Sequence, residues 1–345
     1  MKNITQTTTA PTHSYHGTWR RCIPQRCVLK SLLLTIGLTV CHLTLVQAQP
    51  YPTKAIRIIV PAAPGGGTDI LSRLLSPRLT ETLGQNIIVE NRAGASTNIG
   101  TEFVARSAPD GYTVLVATTP HAVNPALFRK LNFDPVRDFT MISQLALTQN
   151  VLVVHPSLPA HNVKEFIALA KARPGQLTAG TSGGTSAFLA VEMLKTAANI
   201  DVLNIPYKGA GLALNDTIAG QVQFQVNTTL ATLPFIQSGR LRPIATCGAK
   251  RSAALPNVPT VAETIKGFES SGWYALLGPA GMQRDVVLKL HGAFSKALQS
   301  PDIARRLTEL GVEILAGTPD ELTKLIPQEI TKWAAAVKAS GAKGE

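Results

Sequence analysis

The sequence predicts an α/β fold in which parallel strands are covered by helices, and three observations carry that prediction. From Ile56 onward, short β-branched runs alternate with stretches of helical periodicity, and glycine and proline punctuate the joins. A strand, a glycine-rich turn and a helix opening occur twice, at Ile56–Leu75 (IRIIVPAAPGGGTDILSRLL) and at Gln176–Leu194 (QLTAGTSGGTSAFLAVEML). At 345 residues, 45% apolar and only 16% charged, the chain is long enough for two α/β cores and too apolar for overall disorder.

Taken in order, the chain opens with a leader. Leu32–Leu45 (LLLTIGLTVCHLTL) is an apolar run of signal-peptide length between Lys30 and the small-residue site Val46-Gln47-Ala48, too short to span a bilayer. Residues 1–48 are therefore expected to be a secretory signal removed before Gln49. Translation starting near Val28 gives a leader of ordinary length, and Val40 ahead of Cys41 argues against lipidation. Cleavage removes five basic residues and no acid, lowering the formal charge from +12 to +7. The remaining lysines and arginines are scattered among few aromatics, which points to small anions and not to nucleic acid. Cys22, Cys27 and Cys41 leave with the leader, so Cys247 stays alone and no intrachain disulfide or cysteine metal site is expected.

Strands are predicted at Ile56–Val60, Ile87–Glu90, Thr113–Ala117, Val151–His155, Leu177–Gly180, Val202–Ile205, Val222–Val226, Leu241–Thr246 and Trp273–Gly278. Asn162 with Glu165 three residues on marks a helix start, and Pro174-Gly175 stops that helix. Thr318-Pro319-Asp320-Glu321 reads as a capping box, and Pro327 is expected to kink or divide the last helix. The paired glycine-rich turns place one helix-opening loop in each half of the chain. Two such loops across a cleft make a ligand site.

Gly65, Gly66, Gly67 and Thr68 are suited to grip a carboxylate with unpaired helix N–H groups, or they serve plain turn chemistry. The loop lacks a GK[ST] ending, and Asp69 would repel phosphate. Gly180–Gly184 (GTSGG) matches G-x-S-x-G, so a secreted hydrolase using Ser182 is an alternative; the only later histidine is His291, beside an apolar helical face. The same segment also reads as a set of hydroxyl donors, with Thr185 and Ser186 opening the helix. Thr118, Thr119, His121 and Asn124 in ATTPHAVNPALF either wall a polar pocket or cap the next helix. No ligand spacing for a metal occurs, and no cofactor is expected.

These segments resemble the substrate-binding proteins of tripartite tricarboxylate transporters, the Bug-type periplasmic receptors. The resemblance rests on YPTKAIRIIVPAAPGGGTDILSRLL, LGQNIIVENRAGASTNIGTEFVARSAPDGYTVLVATT, NPALFRKLNFDPVRDFT, VLVVHPSLP, KARPGQLTAGTSGGTS, IPYKGAG, SGRLRPIAT and AKRSAALPNVPTVAE, which together cover nearly the whole mature chain. It implies a type II periplasmic-binding-protein fold, with two α/β lobes joined by two crossing strands around a ligand cleft. Lobe 1 would comprise residues 49–150 and 273–345, and lobe 2 residues 151–272. It also implies a monomeric, non-enzymatic receptor that closes on a small organic acid for the membrane components of a tripartite transporter. The ligand carboxylate would lie between the loops Ala62–Asp69 and Thr181–Ser186, partly through ordered water, with Gly184 in the second loop.

Two departures from the family pattern carry expectations. Ala62 and Ala63 follow Pro61 where the family has an aromatic residue and a proline, which predicts a ligand bulkier than a C4 acid, such as an aromatic carboxylate. Asn227 stands where an aspartate is frequent, and a neutral amide disfavours ligands bearing an ammonium group. A receptor of the same fold that serves a signalling partner remains a further alternative.

Overall fold

The computed structural model describes residues 51–342 together with Gly17. The leader expected over residues 1–48, with its cleavage site and three cysteines, lies outside the described residues. Among the described residues no helix is long and apolar enough to cross a membrane.

The first half runs β1 (Ile56–Val60), α1 (Gly67–Leu83), β2 (Ile87–Asn91), α2 (Asn98–Ala105), β3 (Thr113–Thr118), α3 (Pro120–Leu127) and β4 (Phe139–Val154). There follow α4 (Val163–Ala172), β5 (Thr178–Thr181), α5 (Ser186–Ala198), β6 (Leu203–Pro206), α6 (Ala210–Ile218), β7 (Phe224–Thr228), α7 (Thr229–Gln237) and β8 (Arg242–Thr246). The chain ends with β9 (Ser271–Pro279), α8 (Arg284–Gln299), α9 (Pro301–Glu309), β10 (Val312–Gly317) and α10 (Pro319–Ser340).

Parallel pairing, as expected, joins β1 to β2 and β3, and β5 to β6 and β7. The sheets are nonetheless mixed. β4 is sixteen residues long and changes partners along its length: residues 139–149 pair with β9, and residues 150–154 pair with β7 and β8. All these pairings, and those of β9 with β3 and of β10 with β4, are antiparallel. The reason is geometric. A strand that leaves one sheet for the other and the strand that brings the chain back travel in opposite senses.

Alternation along the strands of the first sheet explains its two-sided core. Ile58, Val114, Val116 and Leu276 face one apolar cluster with α1 and α8, while Ile59, Leu115, Ala117, Ala275 and Leu277 face a second with α3 and α10. The other sheet packs Phe224, Val226 and Ala179 against Phe166 of α4 and Val191 and Leu194 of α5.

Local signals fall where sequence chemistry places them. Asn162 accepts from the Glu165 N–H at 3.0 Å, and Thr318 with Glu321 forms both bonds of a capping box. Pro327 does not divide the last helix, which runs unbroken from Pro319 to Ser340. One missing N–H costs a single bond, and the buried Leu322, Ile326 and Trp333 on either side hold the helix against its neighbours.

Candidate functional site at the junction of the two sheets

The five helices that follow β1, β3, β5, β6 and β7 begin around one cavity of about 70 Å³ at the junction of the two sheets. Its wall includes Gly67 and Thr68 at the start of α1, Pro120 of α3, Ser186 and Ala187 of α5, and Ala210 of α6. Thr228, ahead of α7, completes this ring of helix starts. The first N–H groups of a helix have no partner within it and carry the positive end of its dipole. Several aimed at one space favour an anion without any cation. Among the described residues no charged side chain lines the cavity.

The crossing strands supply the floor, through Thr148 and Asn150 of β4 and Gly272, Trp273 and Tyr274 of β9. Asn150 donates to Ser186 Oγ at 3.0 Å and to Ser270 Oγ at 3.1 Å, tying both crossing segments to the start of α5. Among the described residues its Oδ1, the Thr228 hydroxyl and the Tyr274 hydroxyl are buried with no partner at full hydrogen-bond geometry, although the two hydroxyls lie near each other beside Gly67. Buried polar groups are ordinarily paired, so these three are free to engage a ligand or its water. Burial raises the Tyr274 phenol well above its ordinary pKa, the Thr228 hydroxyl lowers it somewhat, and the phenol stays a donor.

Of the residues singled out from sequence, Ala62, Gly66, Gly67, Thr68, Thr118, Thr119, Ser182, Thr185, Ser186 and Asn227 line this cavity. Thr185 accepts from the Phe188 N–H at 3.0 Å, so it caps α5 while facing the ligand space. Asn227 accepts from the Thr228 N–H at 2.7 Å through Oδ1.

The others stand behind the wall. Asp69 accepts from the Gly65 N–H at 3.0 Å and from Arg73 Nε at 2.9 Å. Burial pushes its carboxyl up, but the bonds from Arg73, Gly65 and Asn91 outweigh that and hold it below the usual range. It braces the loop from within, and Gly65 takes the left-handed turn (φ +82°) that the brace requires. Ala63 packs against Gly209. Asn124 donates to the Ser96 carbonyl and to Asn98 Oδ1, each at 2.7 Å, and its Oδ1 fills the space where Gly184 (φ +72°) lacks a side chain. Thr181 donates to the Ile205 carbonyl at 3.4 Å.

His121 is a packing residue and does not reach the cavity. Its ring stacks on Phe133 and meets Phe139 edge-on, with centroids 6.4 and 4.9 Å away. Nε2 carries the proton, because it donates to the Pro135 carbonyl at 2.7 Å, and Nδ1 has no partner. Burial lowers its pKa to about 4, only partly opposed by the carbonyl bond. The unfolded imidazole titrates near 6.5, so the unfolded state binds more protons between those values. The stability tied to the neutral ring is fully present above pH 6.5 and is lost as the pH falls to about 4, amounting to about 3 kcal/mol. His121→Phe is expected to flatten the pH dependence of the urea midpoint across that window. A slope as steep as the wild type's would assign the titration to another group.

Thr97, Asn150, Gly272, Trp273, Tyr274 and Thr228 line the cavity but were not anticipated as site residues. Thr97 lies in the AGAST segment, whose Ala95, Ser96 and Thr97 all have positive φ (45°, 51° and 77°), a feature that appears only in the structure. Three non-glycine residues in that region make a strained turn of the kind found at functional sites. The crossing-strand residues carried no local signal.

Among the described residues no histidine or carboxylic acid lines the cavity beside Ser182, so the serine hydrolase reading lacks its base. Among the described residues no group of three metal-ligating side chains occurs.

The model of the tripartite tricarboxylate transporter family receptor matches residues 71–342. BugT of Bordetella pertussis is 36% identical over 302 residues, spanning 86% of this chain and 93% of its own. Among solved structures, the periplasmic binding protein BugD superposes with a TM-score of 0.83 at 32% identity, covering 86% of this chain and all of its own. R. palustris Rpa4515, solved with adipate, superposes with a TM-score of 0.82 at 34% identity over 84% of this chain and 98% of its own. The resemblance read from the motifs is thus borne out: with its two-lobed periplasmic-binding-protein fold, this chain belongs to the tripartite tricarboxylate transporter receptor family, and it is a receptor, not an enzyme.

Proposed function

We propose that the protein is a monomeric periplasmic receptor that captures a small organic acid and presents its closed form to the membrane components of a tripartite transporter. The observation that carries this reading is the cavity itself. Helix N-termini and unpaired hydroxyls converge on an uncharged space, which is a chemistry for carboxylates. Residues 49–150 with 273–345 form one lobe in this reading and residues 151–272 the other. The change of β4 partners at Gln149 and Asn150 supports a hinge there.

Adipate in Rpa4515 supports a dicarboxylate as the ligand class. Small side chains and backbone form most of the cavity wall, which suits an organic acid. Ala62 lines it with a methyl group, leaving room for an acid bulkier than C4, including an aromatic one. With Asn227 neutral, acids without an ammonium group are favoured.

The test is a thermal-shift screen of the protein after unfolding and refolding to strip bound ligand, against C4 to C6 dicarboxylates, citrate, aromatic carboxylates and acidic amino acids. A ligand at about a hundred times its Kd stabilises by about 2.7 kcal/mol, or about 4 °C for a chain of this size. The preferred acid is expected to lose most of that shift in Ala62→Phe. Stabilisation by neutral esters but by no acid would overturn the reading.

A further inference from the structure

We infer that Gly211, with Gly209 beside it, is the residue that permits the two lobes to close, so that it acts on affinity through its missing side chain and not through a contact of its own with the ligand. The inference rests on the receptor reading above.

Two seams flank the cavity where residues before β4 meet residues after it. In the first, the backbone of Pro64–Gly66 lies against the start of α6. A Cβ on Gly211 would collide with the Pro64 carbonyl oxygen and would sit 2.8 Å from both Gly65 C and Gly66 N. A Cβ on Gly209 would sit 2.8 Å from both the nitrogen and the Cβ of Ala63. The obstructing atoms at Gly211 are all backbone, so no rotamer change relieves them. They belong to the loop that Asp69 and Arg73 brace, which cannot simply retreat. In the second seam, Gly183 and Gly184 lie against Ser96 and Asn124.

Neither Gly209 nor Gly211 needs glycine for its own conformation. Gly211 lies within helix α6, and Gly209 has φ 165°, which is extended backbone. Alanine inside a helix is better than glycine by about 1 kcal/mol. A conformational demand therefore does not explain these glycines, whereas the approach of the opposite loop does. A ligand held only in the closed form loses affinity in proportion to the closed fraction.

Closure is read without any ligand by a cysteine pair on the second seam. A Cβ built on Gly183 lies 3.7 Å from Ser96 Cβ, within the range a disulfide spans, and Cys247 is buried and does not compete. The experiment compares S96C/G183C with and without Gly211→Ala, under mild oxidation, with adipate or buffer alone. Gly211→Ala is expected to leave the melting temperature of the ligand-free protein equal or higher. It should slow cross-linking and weaken adipate binding, each by about tenfold or more. Gly209→Ala should act in the same direction, and it serves if Gly211→Ala fails to fold.

Cross-linking as fast as in the parent pair would overturn the inference, as would a parent pair that never cross-links. If the parent pair cross-links but neither adipate nor another acid binds it, the ligand class falls while the role of Gly211 is still judged by the cross-link.

Discussion

Glu329→Leu is expected to destabilise the protein by about 3 kcal/mol and to weaken ligand binding with it. The Glu329 carboxylate is buried on α10, where Oε2 accepts the indole N–H of Trp273 at 2.8 Å and that of Trp333 at 2.7 Å. Lys332 donates to Oε1 at 3.3 Å. Leucine removes the acceptor and leaves two indole N–H groups without partners, at about 1 to 3 kcal/mol each. Relief from burying a carboxylate offsets part of that loss. Trp273 lines the cavity, so a tryptophan that shifts to find another acceptor changes the floor on which the ligand rests. Glu329→Gln keeps one carbonyl acceptor and is expected to cost less than half as much. Urea unfolding followed by tryptophan fluorescence measures both. A wild-type midpoint in Glu329→Leu would mean that the indoles are satisfied by something other than this carboxylate.

Tyr274→Phe is expected to separate affinity from stability. The hydroxyl is buried, has no partner at full hydrogen-bond geometry among the described residues, and occupies the space where Gly67 at the start of α1 lacks a side chain. Removing a buried hydroxyl whose one neighbour, the Thr228 hydroxyl, is imperfectly placed for a hydrogen bond should leave the ligand-free protein close to its original stability. A hydrogen bond from a phenol to a carboxylate contributes about 1.5 to 3 kcal/mol, so the same substitution should weaken acid binding by about 10- to 150-fold. Calorimetric titration gives the affinity, and thermal unfolding of the ligand-free protein gives the stability. Lower stability with unchanged affinity would put the hydroxyl in a structural role and away from the ligand.

Much of the site was legible because its loops carry local chemistry. The glycine-rich turn at Pro64–Thr68 and the hydroxyl-rich one at Thr181–Ser186 each precede a helix, and the N-terminal groups of those helices face the cavity. Nothing in the neighbourhood of His121 predicted its aromatic cage, because Phe133 and Phe139 lie twelve and eighteen residues away. Asp69 was legible as a charge near the loop. That it braces the loop from behind follows from Arg73 and Asn91 standing on that side.

The crossing strand was the larger loss. Residues 139–150 (FTMISQLALTQN) mix polar and apolar positions, so a strand was expected only from Val151. The tertiary fold buries three of the polar ones, Ser143, Thr148 and Asn150, and Ser143 donates to the Gly317 carbonyl at 2.8 Å on β10. β10 itself was not anticipated, since a six-residue edge strand earns its pairing from β4 alone.

Contiguous residues encode the helix caps at Asn162 and Thr318, the strand runs, the two glycine-rich helix openings and, through their joint motifs, the family. Which of those openings meet is fixed by the folded chain as a whole. The cavity gathers segments from Ala62 to Tyr274, and their meeting depends on β4 passing from one sheet to the other and β9 returning. Long-range proximity of this kind is set by packing and strand pairing between distant segments, for which no single stretch of chain holds the information.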